Sequence, residues 1–447
     1  MTTLFTELGL PDTYQKIGEA SLPSRFDVSG FANDTIACAG TALSALVAAL
    51  GLRDQAPIPK IDARLASLWF KWSFYPIGWK LPPVWDEFSG LYETRDGWIR
   101  VHTNVPAHRA AALRVLGSPS SRSDANSQAR SWRKHDLESA IAKEGGASAA
   151  YQSRNDWLCS PQGMAIASEP LIEWSEHHSG EIRTWSPQPK RPLAGLKILD
   201  LTRVLAGPVS TRFLAGFGAD VLRIDPPDWD EGAVVPEVTL GKKCARLDLK
   251  TSTGKETLKC LLSKAHVLVH GYRADALDRL GFGDEVRRAS NPGLIDVSLN
   301  AYGWRGPWKH RRGFDSLVQM SSGIAHDGML WANETKPYPL PTQALDHGTG
   351  YLMAYAVLMA LEKAVRGESV CSARLSLART GHALTTLYDR PTDEETDVTL
   401  EPEDFQDTPE ESPWGPANRL RPPLTYSDLD MRWDLPSCLF GSSHADW

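Results

Sequence analysis

The residues of this chain best placed to do chemistry stand at the starts of two apolar segments. Asp346 and His347 follow Leu340-Pro341-Thr342-Gln343-Ala344-Leu345 and precede a small-residue, apolar run, Tyr351–Leu361, that reads as a helix. An aspartate in that place predicts a helix N-cap. The helix dipole holds such a carboxylate in position and favours its ionised form, which suits a nucleophile. The second place is Asp200-Leu201-Thr202-Arg203-Val204-Leu205-Ala206-Gly207-Pro208, at the end of the apolar run Leu196–Leu201. Gly207 and Pro208 favour a tight turn into a helix whose free N–H groups can receive an anion. Neither G-x-G-x-x-G nor G-x-x-x-x-G-K-S/T occurs there, which argues against nucleotide hydride transfer and P-loop hydrolysis. Six cysteines (Cys38, Cys159, Cys244, Cys260, Cys371, Cys438) show no C-x-x-C spacing. They predict no zinc site and no disulfide framework, and fit buried thiols in a reducing compartment.

Alternating strands and helices must position these residues. Leu196–Leu201, Ala219–Ile224, His266–Val269 and Gly293–Ser298 read as short buried strands, with helices at Ser210–Phe217 and Gly254–Lys264 between them. That alternation predicts a doubly wound, Rossmann-like parallel sheet, whose ligands sit beyond the carboxyl ends of its strands. Earlier in the chain, residues 31–51 read as an Ala-rich core helix closed by Gly51. Gly90–Asn104 reads as strand, Asp-Gly turn, strand, and Pro106–Leu116 as a helix. Ser118–Arg130 reads as a surface loop, Ser186–Pro192 as a Pro-punctuated linker, and Asp389–Pro413 as an acidic, flexible or extended connector.

The chain has 447 residues, 42% hydrophobic and 23% charged, which is long and apolar enough for two or three domains with a sizeable core. A net charge of −7 argues against nucleic acid as a partner and leaves room for a local basic groove. No secretory leader is recognisable in MTTLFTELGL, and the longest apolar runs, such as Thr41–Leu52, read as too short to span a bilayer. A soluble, cytoplasmic protein with no membrane partner is the expectation.

Read in order, PLAGLKILDLTRVLAGP, GADVLRIDPP, GKKCARLDLKTSTGKE, LDRLGFG, NPGLIDVSLNAYGWRGP and RRGFDSLVQMSSGIA resemble the signature of the family III CoA-transferases. This family, also called CaiB/BaiF, includes formyl-CoA and carnitine CoA-transferases and α-methylacyl-CoA racemases. The resemblance runs from about Pro192 to Leu384. It implies coenzyme A or an acyl-CoA as substrate, a carboxylic acid as partner, no permanently bound cofactor and no metal.

It also implies roles. Asp346 would be the covalent carboxylate, with His347, Gly348 and Phe314 around it. Val204, Leu205 and Ala206 would hold the adenine end of CoA, and Leu247 and Lys250 would lie along the nucleotide. Tyr272, Arg279 and Arg312 match cofactor-contacting positions. Backbone N–H groups from Gly348 to Gly350 would stabilise oxyanions. The racemases carry a histidine where Phe314 stands, and a phenyl ring moves no proton, so CoA transfer is favoured over racemisation. A racemase or epimerase using Asp346 and His347, and a non-catalytic CoA-binding relative, stay open as alternatives.

The segments imply an architecture too. Phe88–Gly117 and Asp156–Ile172 resemble the family's small domain, yet they precede the Pro192 segment. The expected division is therefore an N-terminal helical segment over 1–80, a small α+β domain over 81–185 and a large CoA-binding α/β domain over 193–388. An acidic connector over 389–412 and a returning segment over 413–447 complete it. The order is permuted relative to the family, and an interlocked homodimer is implied.

Overall fold

A computed structural model describes residues 3–177, 181–273, 275–391 and 397–447. Its centre is a seven-stranded sheet. In chain order the strands are β1 (Glu173–His177), β2 (Lys197–Leu201), β3 (Asp220–Asp225), β4 (Lys242–Arg246), β5 (Val267–His270), β6 (Ile295–Asn300) and β7 (Val370–Ser376). They lie side by side as β4-β3-β2-β5-β6-β7-β1. All neighbours are parallel except β1, which closes the edge antiparallel to β7. The predicted strands are therefore present, with ends shifted by a residue or two. They were legible because parallel strands covered on both faces read as unbroken apolar runs. β1 belongs to this sheet, although the sequence reading assigns its residues to the small domain.

The chain leaves β2 in one direction through β3 and β4, then returns to β2's other side through β5, β6 and β7. The crevice between the carboxyl ends of β2 and β5 is the topological switch point, where open α/β sheets hold their ligands.

Two long helices, Val28–Ala49 and Ala344–Val365, pack against each other, and the second also packs on the helix Ala206–Gly216. Their faces are buried almost throughout. Contrary to the reading of short apolar runs, Val28–Ala49 has 22 residues and is apolar enough to cross a membrane by length and composition. Its alanines and its polar Asn33, Thr35 and Ser44 made it look less continuous, but 83% of its apolar window is buried inside the protein. Gly350 permits a close approach of the helix Ala206–Gly216. A Cβ there would stand 2.5 Å from the Ala206 carbonyl oxygen and 2.7 Å from Val209 Cβ. Gly350→Ala is expected to lose about 1–3 kcal/mol of stability, read as a lower denaturation midpoint at unchanged slope. A midpoint equal to wild type would show that the two helices separate freely.

Within the stretch expected to form a small domain, Gly90–Thr94, Gly97–Val101 and Ser148–Ala150 make a three-stranded antiparallel sheet, backed by the helices Pro106–Val115, Arg122–Ala129 and Lys134–Lys143. The expected loop Ser118–Arg130 contains one of these helices. Ser121 caps it by accepting the Asp124 N–H at 3.1 Å, and Ala125 and Ala129, one turn apart, are its only buried side chains. Two alanines are too faint an apolar stripe to register against the six polar residues of the helix.

The acidic connector also departs from expectation. Residues 392–396 lie outside the described residues, but from Asp397 onward the segment is tied down. Asp404 pairs with Arg64 at 2.8 Å and Glu410 with Arg419 at 2.7 Å. Glu410–Ser412 forms a strand on Gly415–Arg419, which in turn pairs with Phe74–Pro76. Its carboxylates are partners for arginines of other segments rather than a solvated spacer.

Candidate active site

At the end of β2, Asp200 is fully buried. It accepts hydrogen bonds from the Thr202 N–H at 2.9 Å, Thr202 Oγ1 at 2.5 Å, Thr211 Oγ1 at 2.6 Å and Lys242 Nζ at 3.0 Å. Burial alone would raise its pKa, yet Lys242 and Arg223 hold it well below the usual carboxylate range. Asp200 is thus an anchor for the turn that follows. Within that turn Val204 has φ 62°, a left-handed conformation rare for a β-branched residue. Its N–H donates to Glu231 Oε1 at 2.7 Å, and the same oxygen takes Arg223 Nη2 at 2.9 Å and Trp229 Nε1 at 2.8 Å. Such strain persists where the surroundings over-determine it, which is typical of ligand-binding turns.

Asp346 sits in the first turn of the helix Ala344–Val365, but it is not the N-cap, which is Gln343. The capping carboxylate comes from Asp315, 31 residues earlier. Its Oδ2 accepts the N–H groups of Leu345 at 2.8 Å and Asp346 at 3.0 Å. Gln319 Nε2 donates to Asp315 Oδ1 at 2.5 Å, and the Leu340 N–H donates to Gln319 Oε1 at 2.8 Å. Burial pushes the Asp315 carboxyl up to about 6 despite these donors. Burial, and then the neighbouring Asp315 charge, raise Asp346 well above an ordinary aspartate. The expectation of a dipole-ionised carboxylate is corrected here, because a second carboxylate already occupies the helix N–H groups.

Two further expectations change. The N–H groups of Gly348 to Gly350 lie inside the helix, where the i→i−4 ladder consumes them, so they are not free for an oxyanion. Gly348 instead makes room for Phe31, whose Cε1 would lie 2.3 Å from an added Cβ. The His347 ring stacks on Phe70 with centroids 5.0 Å apart, and burial together with Arg212 lowers its pKa to about 3. It is a neutral, weakly basic ring.

Asp346 opens on an apolar chamber lined by Phe70, Trp72, Val84, Trp85, His102, Leu205 and Phe314. Val204 and Phe314 form part of its wall and also line a wider cleft at the switch point. That cleft carries Arg203, Tyr272, Arg273, Lys309, Arg311 and Arg312. Arg203 is paired to Asp225 at 3.4 Å and Arg311 to Glu138 at 2.7 Å, whereas Arg273, Lys309 and Arg312 have no carboxylate partner among the described residues. Burial and Arg273 lower the pKa of Arg312, and burial, Arg312 and Arg273 lower that of His108 to about 4. Three unpaired cations facing one cleft are a ready anion site.

Of the sequence-predicted residues, Asp346, His347, Val204, Leu205 and Phe314 meet at the chamber, and Tyr272 and Arg312 line the cleft. Ala206 begins its helix beneath them, where its carbonyl faces Gly350. Leu247 packs beside Tyr272 against the second apolar cluster. Lys250 is exposed on the turn before Ser252–Lys264, and Arg279 is 70% exposed and paired with Asp275. Neither lines the cleft. Asp315, Arg273, Lys309, Trp85 and His102 were not foreseen. Asp315 was legible as the third residue of Gly313-Phe314-Asp315, and Arg273 as the neighbour of Tyr272.

Comparison with known proteins bears on the same stretch. Residues 193–397 match the model of CoA-transferase family III. This stretch belongs to that family. An acetyl-coenzyme A transferase of Hypoxylon pulicicidum, nodX, is 37% identical over 209 residues, 45% of this chain and 34% of that protein. An acyl-CoA transferase of Gibberella moniliformis is 26% identical over 351 residues, covering 70% of this chain and 60% of that one. The probable fatty acyl-CoA transferase Rv3272 of Mycobacterium tuberculosis is 33% identical over 187 residues, 39% of this chain and 47% of its own. The chain therefore spans between 34% and 60% of the length of these curated relatives. The family III stretch contains the switch-point turn, the unpaired cations of the cleft, and both Asp315 and Asp346. The chamber's remaining walls, Trp85 and His102 among them, come from outside it.

Proposed function

We propose that this protein transfers coenzyme A between an acyl-CoA thioester and a carboxylic acid, with Asp346 as the covalent carboxylate. The observation that carries this reading is the continuity between the Asp346 chamber and the cationic cleft past Val204 and Phe314. A long substrate with phosphates at one end and a reactive thioester at the other fits that shape. Arg273, Lys309 and Arg312 would hold phosphate oxygens, and the thioester would reach Asp346.

The chemistry then runs through two exchanges. The Asp346 carboxylate adds to the thioester carbonyl, and collapse expels CoA as thiolate and leaves a mixed anhydride. The thiolate attacks the aspartyl carbonyl and releases the first acid, forming an aspartyl-CoA thioester. The acceptor carboxylate reverses both steps. An apolar chamber keeps water from the anhydride. Phe314 fills the place a racemase would need for a second base, and His347 is neutral and stacked, so transfer is the reading retained.

The deciding experiment uses an acyl-CoA with labelled acetate or succinate, trapping by hydroxylamine and mapping of the adduct by mass spectrometry. Label in new acyl-CoA together with a hydroxamate at Asp346 is expected. Deuterium entering the α-carbon from solvent without CoA exchange would replace transfer by racemisation. Arg312→Ala should raise KM for the acyl-CoA about tenfold, the loss of one charge-assisted contact, and leave kcat nearly unchanged. A fall in kcat at constant KM would move Arg312 from binding to chemistry.

A further inference from the structure

With the Gly348–Gly350 amides consumed by their helix, nothing assigned so far receives the negative charge that develops on the thioester carbonyl oxygen. The chamber offers one candidate that the family III stretch does not contain. His102 follows the strand Gly97–Val101 of the small domain, and its ring lines the same chamber as Asp346. It lies flat on Phe314, with centroids 3.7 Å apart and planes at 6°, and Trp85 meets it edge-on at 5.8 Å and 80°. The backbone on either side is fixed. The His102 N–H donates to the Ala147 carbonyl at 2.9 Å, and the Thr103 N–H donates to Ser89 Oγ at 2.9 Å. Asn104 Nδ2 donates to the Val84 carbonyl at 2.7 Å, which ties the Trp85 loop to the same segment. The ring is 6% exposed, so it is held rather than solvated.

The hydrogen-bond pattern sets its tautomer. Nδ1 is buried and has no partner among the described residues. A buried N–H with no acceptor in any other residue is costlier than a buried lone pair without a donor, so we assign the proton to Nε2. Burial, His108 and Arg100 also keep the ring neutral, lowering its pKa to about 3. A neutral ring of this kind donates a hydrogen bond and keeps its proton.

We propose that His102 is the oxyanion donor of the reaction, giving its Nε2–H to the thioester carbonyl oxygen as Asp346 attacks. The inference rests on the CoA-transfer reading. As the bond from Asp346 to the carbonyl carbon forms, the carbonyl π pair moves onto oxygen and the Nε2–H bond to it shortens. Collapse restores the C=O bond, breaks the C–S bond and releases CoA as thiolate. No proton leaves His102. The donor reaches the substrate from the small domain, so docking of that domain completes the site.

Three variants test this in the full chain. His102→Phe keeps a flat ring on Phe314 and removes the donor. His102→Gln places an amide N–H near the Nε2 position, whereas His102→Asn places one near Nδ1. His102→Phe is expected to lower kcat about 100-fold or more, the usual loss for one oxyanion donor, with KM for acyl-CoA and the melting temperature close to wild type. His102→Gln should recover about tenfold over His102→Asn. Should the Phe variant fail to fold, the Gln and Asn pair still decides, since both lose the ring and differ in where the N–H points. Wild-type turnover in His102→Phe, or Asn matching Gln, overturns the inference and leaves CoA transfer intact. A wild-type protein that moves no CoA to any acid overturns the transferase reading and this inference with it.

Discussion

Asp346→Asn is expected to abolish CoA transfer, by about four to six orders of magnitude for loss of a covalent nucleophile, in a protein that still folds. The amide keeps the shape of the side chain at the start of its helix and cannot form the anhydride. CoA transfer persisting near the wild-type rate in the variant would remove Asp346 from the mechanism. The buried pair makes a second, opposed expectation. Asp346 and Asp315 both have folded pKa values above the ordinary 3.8 of an aspartate, Asp315 at about 6. A carboxyl of this kind favours folding while protonated, so its contribution is fully present below the unfolded value and is lost as pH rises through the folded one. The pair's contribution to wild-type stability should therefore fall from pH 4 upward through pH 6 and beyond, against the opposite trend of the buried, neutral His102, His108 and His347. Catalysis needs that same ionisation, so kcat/KM should rise across the window in which stability falls. Asp346→Asn removes one of the two like charges and should flatten the stability profile. Denaturant titrations at pH 5 and pH 8 read this directly, and equal losses in both proteins would show that the carboxyls do not titrate as a pair.

The largest expected effect on folding belongs to Glu237, which touches neither chamber nor cleft. It is buried, and it accepts the Ser73 N–H at 3.1 Å, Ser73 Oγ at 2.7 Å and the guanidinium of Arg212. Arg419 Nη1 stands 3.6 Å from its other oxygen. Arg212 also lies over the Trp69 ring at 4.5 Å, and Trp69 stacks on Trp433 at 5.4 Å. This carboxylate thus neutralises the buried Arg212, shares Arg419 with Glu410, and binds together early, middle and late segments of the chain. Glu237→Ala leaves the buried Arg212 without a counter-charge and Arg419 with Glu410 alone, and should lower stability by about 3–5 kcal/mol, read from urea denaturation. A loss below about 1 kcal/mol, the range of exposed pairs, would mean that water enters the site and screens them.

Legibility in the sequence divided along the line between local and distant causes. The strands of the main sheet, the Asp-Gly hairpin at Arg95-Asp96-Gly97 and the helix around residues 31–51 are each specified by neighbouring residues, so they could be read. Asp346 was legible for the same reason, as part of a contiguous motif. Its electrostatic state was not, because that depends on Asp315 arriving from 31 residues away to take the helix N–H groups. His102 and Trp85 carried no signal at all. Their nearness to Asp346 is a product of the tertiary fold, and nothing about a histidine after a strand announces it. The acidic stretch after Asp389 misled for the complementary reason. Its composition is that of a solvated spacer, and only the positions of Arg64 and Arg419 turn Asp404 and Glu410 into buried partners.

The pairing of the two ends of the chain has a consequence for biosynthesis. Phe74–Pro76 hydrogen-bonds to Gly415–Arg419, and Lys60–Asp62, which pairs early with Gln15–Ile17, also takes Leu424–Thr425, so these early strands are completed only by segments far later in the chain. The apolar helix Val28–Ala49 meets its main partner, Ala344–Val365, just as late. At translation rates of about 5–20 residues per second, that helix waits tens of seconds for this partner, with the helix Ala63–Lys71 as its early neighbour. The delay between these partners is set by the order of the segments along the chain, and it leaves one long apolar helix as a surface open to misassociation before the native contacts form.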